Sequence, residues 1–477
     1  MNGIKGLTLS ELAARYPAYD TAEIDRILIP ALKSLDRQFI VLDDDPTGIQ
    51  TVYDVAVLTV WDTESIAAEM RGEGTMFFIL TNSRSLSHDD TKELHRTIAR
   101  NIAEASKLTG RDYILVSRGD STLRGHYPAE TETLRRVTEE MLEIPVDGEI
   151  ICPFFPEGGR YTADDIHFLE ENGKLLPVGE SEFARDKTFG YTSSNLKDWV
   201  AEKTGGTFGA GDVVSVSIDE LRREDYRAIT EKLTGLSGFR KLIVNALDYD
   251  DIKVFVISFI QAAASGKRYI LRSAAGILKV LLGKPGRPLL GGAELRSGSS
   301  RGGIIIAGSH VSKTTRQLEK LKELPDVVFL ELNQHLALDS AAFAGEISRV
   351  QNLAEKEIEA GRTAVIQTRR ERFDLNTGNR EDELRLAVTI SDGLTGIVAN
   401  LRTAPGFIIA KGGITSSDVG TKGLKVRRAM VMGQILPGIP VWKTGPESRF
   451  PGIAYVIFPG NVGSDNALKE AVEKLRG

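Results

Sequence analysis

From residue 39 onward, short apolar and β-branched runs alternate with longer stretches whose apolar positions recur every three or four residues. The runs at 39–42, 55–58, 77–80, 113–116, 150–152, 213–216, 242–244 and 269–271 are short and almost uniformly apolar, and they read as strands. Helical patterns lie between several of them, as at 89–108 and 220–233. Such alternation predicts an α/β fold with a largely parallel sheet. The theme returns downstream, with strands at 304–307, 327–330, 364–367, 407–410 and 454–458 and helices at 314–324, 341–360, 381–401 and near 420–430.

Residues 283–303 break the pattern. They are rich in Gly, Pro and Ser, offer little that could pack, and read as a linker or mobile loop, with a Gly-rich ligand loop as the competing reading. The expected organisation is a helical N-terminal extension at 1–36, a first domain at 37–282, a linker at 283–303 and a second domain at 304–477. Each domain is expected to be a largely parallel sheet with flanking helices, with the active site in the cleft between the two.

Composition excludes several classes of partner. Among 477 residues, 60 Lys and Arg stand against 66 Asp and Glu, a net charge of −6, which leaves no broad basic surface for nucleic acid or an anionic membrane. A single cysteine, Cys152, can form neither an internal disulfide nor a Cys-based zinc site, which points to a reducing, cytoplasmic compartment. No run reaches the ~20 apolar residues of a membrane span, and the first residues lack the apolar core of a secretory signal. A homodimer is compatible with the sequence but not required by it.

In open α/β sheets, ligands bind beyond the carboxyl ends of the strands, so the residues that follow each strand carry the functional signal. After Leu42 stand Asp43, Asp44 and Asp45, then Pro46-Thr47-Gly48. Three successive carboxylates repel one another and need a cation, hydrogen-bond donors or raised pKa values, as at a Mg²⁺ site, a catalytic base or a set of acceptors for substrate hydroxyls. Arg84 follows the strand ending at Leu80, and Arg118-Gly119-Asp120-Ser121-Thr122, with Arg124 and His126, follows Val116. Guanidinium groups at such positions suit a carboxylate or phosphate, which they bind bidentately. His126 is as readily structural as catalytic.

The second half carries turns with sparse side chains. Residues 308–314 approach the phosphate-binding pattern G-x-x-x-x-G-K-[ST] at Lys313-Thr314, but Gly308 falls one position late and Ser312 stands where the second Gly should be, so a true P-loop is rejected. Gly412-Gly413-Ile414-Thr415-Ser416 and the turn from Gly460 to Gly463 are further strand-to-helix transitions where bare backbone can approach a phosphate. Together these turns favour a nucleotide pocket.

In this order, the motifs resemble the four-carbon acid sugar kinase family, long catalogued as a domain of unknown function. They are the aspartates leading into Thr47-Gly48, the Arg84 loop, Asp120-Ser121-Thr122, Gly412-Gly413-x-Thr415-Ser416, and Gly460-x-x-Gly463. The similarity runs from about residue 39 to the C-terminus; Pro46, Ile414 and the N-terminal extension depart from the common pattern. The resemblance implies an acid-sugar-binding N-terminal domain, an ATP-binding C-terminal domain, Mg²⁺, and phosphoryl transfer to the C4 hydroxyl of a tetronate or 3-oxo-tetronate. It implies substrate binding at Asp44 or Asp45, Arg84, Arg118, Gly119, Asp120, Ser121 and Thr122. Nucleotide binding is implied at Ser309, Gly412, Gly413, Ile414, Thr415, Ser416, Gly460 and Gly463. On this reading Arg84 and Arg118 clamp the substrate carboxylate and Asp45 is the first choice of base, with Asp43, Asp44 and Asp120 as alternatives.

Two other readings compete. Asp43-x-Asp45-x-Thr47 after an apolar strand also fits the nucleophile motif of haloacid-dehalogenase-type phosphatases, with Asp43 phosphorylated and Asp45 as acid–base. Alternatively, the chain is a non-catalytic sensor that binds a sugar acid.

Overall fold

The computed structural model describes residues 5–296, 298–308, 311–371, 373, 375, 380–460 and 462–477. The chain divides into two compact units, residues 1–52 with 60–286, and residues 53–59 with 287–477.

In the first unit a parallel sheet runs in the order Met76–Leu80, Gln38–Asp43, Tyr113–Arg118, Tyr269–Ser273, Gly148–Cys152, Arg240–Val244 and Val214–Val216. Nearly every residue of the central strands is buried, as a sheet covered on both faces requires. One helical group packs His88–Thr109 against Thr63–Met70 and Ala129–Leu142, and another packs Tyr249–Ala264 against Tyr226–Thr234 and Ala275–Leu282. Asp20 caps the N-terminal helix Thr21–Ser34, which buries Ile24 and Leu28 as it packs on Tyr249–Ala264.

Register brings the strand ends level. Leu80, Asp43, Arg118, Ser273 and Cys152 are successive partners across five strands. The chain leaves Gln38–Asp43 to build Met76–Leu80 on one side and then crosses to Tyr113–Arg118 on the other. That reversal is a topological switch point, and Asp43 and Arg118 stand on either side of it.

Three short antiparallel strands, Arg160–Ala163, Ile166–Glu171 and Lys174–Pro177, form a separate sheet that the apolar periodicity did not predict. Their turns were nonetheless legible: Asp164-Asp165 and Asn172-Gly173 all take positive φ, and Asn-Gly is a strong hairpin signal. The helix expected at 220–233 is two, Ile218–Arg222 and Tyr226–Thr234, because Ser217 and Asp225 each cap a new start and Glu224 turns left-handed between them.

The second unit has a sheet in the order Val327–Leu332, Thr363–Thr368, Ile304–Ala307, Ile408–Lys411, Ala454–Phe458, Ile439–Thr444, Arg428–Leu436 and Ala56–Leu58. The first five strands are parallel and the rest antiparallel.

Three expectations are corrected here. The strand expected at 55–58 in the first domain pairs with Arg428–Leu436 and belongs to the second unit. The segment 283–303 does pack: Leu290 and Leu295 are buried in the core with Ile435, Leu468 and Leu475, and Leu290 N–H donates to Gln434 O at 2.8 Å. A helix near 420–430 is replaced by a short helix Gly413–Asp418, a π-helical turn Val419–Gly423 and then a strand. Burial alternates strictly from Arg428 to Gln434, the period of a half-covered strand. Among the described residues no helix is long and apolar enough to cross a membrane.

Candidate active site

At the switch point of the first unit, carboxylates and guanidiniums interlock. Asp43 ends its strand with its side chain buried, Oδ1 accepting from Arg118 Nη1 at 3.2 Å. Its Oδ2 has no hydrogen-bond partner and presses on Gly48, where any Cβ would overlap it. Burial pushes the Asp43 pKa up to about 7 against the pull of Arg118, with Asp44 and Asp45 adding to the rise. Asp44 is gripped by both arms of Arg84, Nε to Oδ2 at 3.0 Å and Nη2 to Oδ1 at 2.7 Å, with Arg118 Nη1 a further 3.4 Å contact.

Asp45 is different. Its Oδ1 accepts from the Thr47 backbone N–H at 2.8 Å and the Thr47 hydroxyl at 2.6 Å, and its Oδ2 has only a long 3.4 Å contact with Arg84. Its side chain is 21% exposed, against 2% for Asp43 and 3% for Asp44. Burial raises its pKa, but Arg84 and the two Thr47 bonds outweigh that and hold it below the ordinary carboxylate value. Asp45 is thus the ionised, accessible member of the triplet.

The loop after Tyr113–Arg118 adds a second carboxylate. Arg124 Nε donates to Asp120 Oδ2 at 2.7 Å, and the Thr122 hydroxyl donates to the same oxygen. Burial opposes ionisation of Asp120, yet Arg84 and Arg124 hold its pKa far below the ordinary value. Ser121 and Thr122 are buried. Their carbonyls are also engaged, with His167 Nε2 2.7 Å from Ser121 O and the Tyr191 hydroxyl donating to Thr122 O at 2.6 Å. Gly119 lies flat on Arg272, whose Nη1 any Cβ would strike. The structure therefore gathers Asp44, Asp45, Arg84, Arg118 and residues 119–122 at one strand-end row.

Sequence reasoning gave no role to Arg272, Glu130 or Arg160 in this neighbourhood, although Arg160 lies in the stretch that follows the strand ending at Cys152. Arg272 directly follows the predicted strand 269–271, so its signal was present in the sequence. It is buried, its Nη2 4.0 Å from Glu130 Oε2 and 3.4 Å from Arg124 O. Glu130 in turn accepts from the Ser83 hydroxyl at 3.0 Å. No spacing marks Glu130, which lies in the first turn of the helix Ala129–Leu142.

In the second unit the strand-end row is Glu331, Gln367, Ala307, Lys411 and Phe458. Gly412 has φ +111°, a backbone state that L side chains rarely adopt, and it starts the helix Gly413–Asp418. Ile414 on that first turn is 68% exposed, unusual for so apolar a side chain. Thr415 Oγ1 lies close to both Gly308 and Gly412, 3.7 Å from where a Cβ on either would sit, so it joins two of the turns. Ser416 instead turns inward, its hydroxyl donating to Ala410 O at 2.8 Å. Lys411, not singled out as a nucleotide-site residue, ties in the third turn: its buried ammonium donates to Pro459 O at 2.8 Å and Gly460 O at 3.1 Å. Burial, with Lys313 adding repulsion, lowers its pKa to about 7. Gly463 packs against Ala467 at the start of the final helix, Ala467–Arg476. Ser309 lies outside the described residues, as does Asn461 between the last two glycines.

Among the described residues no group of three or more His, Cys, Asp or Glu side chains is arranged to hold a metal ion. The aspartate triplet does not fit one, because Asp43 and Asp44 are already committed to guanidinium groups.

Comparison with known proteins agrees with this two-part arrangement. Residues 39–281 match the family described as a sugar-binding N-terminal domain, and residues 304–468 match a nucleotide-binding C-terminal domain. A D-threonate kinase from Cupriavidus necator is 25% identical over 394 residues, 79% of this chain and 83% of that protein. A solved Haemophilus influenzae protein of a family of unknown function superposes with a TM-score of 0.61 at 18% identity, covering 91% of this chain and all of that one. A Salmonella typhimurium structure superposes with a TM-score of 0.64 at 16% identity, covering 91% of this chain and 98% of that one. At such identities the two structures speak for the fold alone. Because family matches in the expected order cover most of the chain, it belongs to the four-carbon acid sugar kinase family and is a sugar-acid kinase.

Proposed function

We propose that the protein transfers the γ-phosphoryl group of ATP to the C4 hydroxyl of a four-carbon sugar acid, a tetronate or 3-oxo-tetronate, in the cytoplasm. The observation that carries this reading is the division of labour within the aspartate triplet. Asp43 and Asp44 are buried against Arg118 and Arg84, while Asp45 is ionised, oriented by Thr47 and open at Oδ2. A carboxylate so held can accept the proton of an attacking hydroxyl or aim that hydroxyl at phosphorus. Asp44 then acts as a positioning residue that keeps Arg84 beside Asp45, rather than as a contact to substrate.

Phosphoryl transfer asks for alignment and charge neutralisation more than for covalent chemistry. Asp120, fixed by Thr122 and Arg124, supplies a second ionised acceptor for substrate hydroxyls. The backbone at 412–415 and the turn at Gly460, joined through Lys411, would face the triphosphate. The exposed Ile414 offers an apolar surface for the base. Mg²⁺ belongs to this proposal as a partner of the nucleotide. The buried, lone Cys152 supports a reducing compartment.

The phosphatase reading needs Asp43 to attack phosphorus, and burial beneath Gly48 speaks against it. ADP release measured against four-carbon sugar acids, with five-carbon acids as controls, tests the proposal. Turnover confined to four-carbon acids is expected. Phosphate release from a phosphorylated sugar acid without nucleotide would favour the phosphatase instead.

A further inference from the structure

Five arginines surround the aspartate triplet and Asp120, and four have an evident structural occupation. Arg84 grips Asp44, Arg118 bonds Asp43, and Arg124 bonds Asp120 and lies 3.7 Å from Asp186. Arg272 is buried beneath Gly119 and Gly125, facing Glu130 and the Arg124 carbonyl.

Arg160 is the exception. Its guanidinium makes no hydrogen bond or ion pair with any described residue, and its Nε is buried without a partner. Yet it is firmly held. Its backbone N–H donates to Phe155 O at 2.9 Å and its carbonyl accepts from Phe155 N–H at 3.1 Å, closing the tight turn at the start of the small antiparallel sheet. The Phe183 ring carries Arg160 Cζ 5.8 Å and Arg124 Cζ 4.9 Å from its centroid, so one aromatic ring orients both guanidiniums. Asp120 is near enough for its charge to act on Arg160 as well as on Arg84 and Arg124, but its Oδ2 is taken by Thr122 and Arg124.

A planar cation held by backbone and ring, partly desolvated, with Asp120 and Glu171 acting on it only through space and no anion hydrogen-bonded to it, is prepared for one supplied from outside. The sequence expectation gave the substrate carboxylate to Arg84 and Arg118, but those two are already hydrogen-bonded to buried aspartates. We propose that Arg160, carried by the small sheet, binds the carboxylate of the sugar acid and so selects acids over neutral sugars. The assignment rests on the functional reading above and deepens it. It also gives the inserted sheet a purpose: to bring a guanidinium to the Asp120 loop from outside the parallel sheet.

Steady-state kinetics of Arg160→Ala in the full-length chain tests this. The KM for the four-carbon acid should rise on the order of 10- to 100-fold, as expected for losing a charge-assisted pair, with the nucleotide KM within about twofold of wild type. Free guanidinium ion added to the assay should restore part of the loss in Arg160→Ala and leave the wild type unaffected, a response no purely structural defect would give. An acid KM within about twofold of wild type, equal losses for acid and nucleotide, or no response to guanidinium would overturn the assignment. Absence of turnover by the wild type with every four-carbon acid would instead overturn the functional reading, and the assignment with it.

Discussion

Asp43 and Arg118 are partners in register on adjacent parallel strands, and their side chains meet at 3.2 Å at the point where the chain reverses its direction across the sheet. The row they occupy determines what the neighbouring residues can do. With Asp43 and Asp44 held by guanidiniums, Asp45 carries the chemistry of the triplet in the proposed mechanism.

Asp44→Asn and Asp45→Asn should therefore behave oppositely. Asp44→Asn breaks a buried two-armed pair and should cost about 3 kcal/mol of stability, read as a lower midpoint in chemical denaturation. Asp45→Asn should unfold near the wild-type midpoint, bind nucleotide normally and lose roughly 10²- to 10⁴-fold in turnover. Near-normal turnover in Asp45→Asn would remove it from the role of base.

Asp43 gives a pH signature in stability. Its pKa in the folded protein is about 7, above that of an unfolded carboxylate, so the folded state holds the proton more tightly over the interval between the two values. Its contribution is complete below the unfolded value and is lost as pH rises towards 7. Denaturation of wild type and Asp43→Asn from pH 4 to pH 8 should show the wild type losing ground to the variant as pH rises, with the difference levelling off above about 7. A difference that grew in the wild type's favour with pH would show that Asp43 is ionised throughout.

Gly119→Ala should be disproportionately harmful for one added methyl group. Its Cβ would strike Arg272, which is enclosed and can yield only by disturbing Glu130 and the Arg124 carbonyl. Overpacking of this kind costs about 1–3 kcal/mol. The acid KM should rise while the nucleotide KM does not, since Gly119 and its neighbours belong to the first unit.

Lys411→Met should show the converse. Removing the ammonium that joins Pro459 and Gly460 to the strand end beside Gly412 should raise the nucleotide KM by roughly tenfold and leave the acid KM unchanged. Equal effects on both substrates would mean that Lys411 supports the fold rather than the nucleotide turns.

Much of this was legible in the sequence because the central parallel strands are almost uniformly buried, and their apolar runs mark both their extent and the polar residues that follow. The aspartate triplet, Arg84 and Arg118 were found in that way. Arg428–Leu436 escaped because it alternates, with Gly433 and Gln434 on its two faces, and the Arg160–Pro177 strands escaped because polar residues interrupt their apolar positions. Side-chain partnership was not legible either. Sequence could place Arg84, Arg118 and Arg124 near an anion, but not reveal that the anions were the protein's own aspartates.

The most direct test of the central claim is the position of the transferred phosphoryl group, read from the ³¹P spectrum of the product formed from ATP and a four-carbon sugar acid. Attachment at the terminal C4 oxygen gives a signal split by the two protons of one methylene, lost in Asp45→Asn, and that is the predicted result. A signal coupled to a single proton, placing phosphate on a secondary hydroxyl, or ATP consumed with only inorganic phosphate formed, would contradict the account.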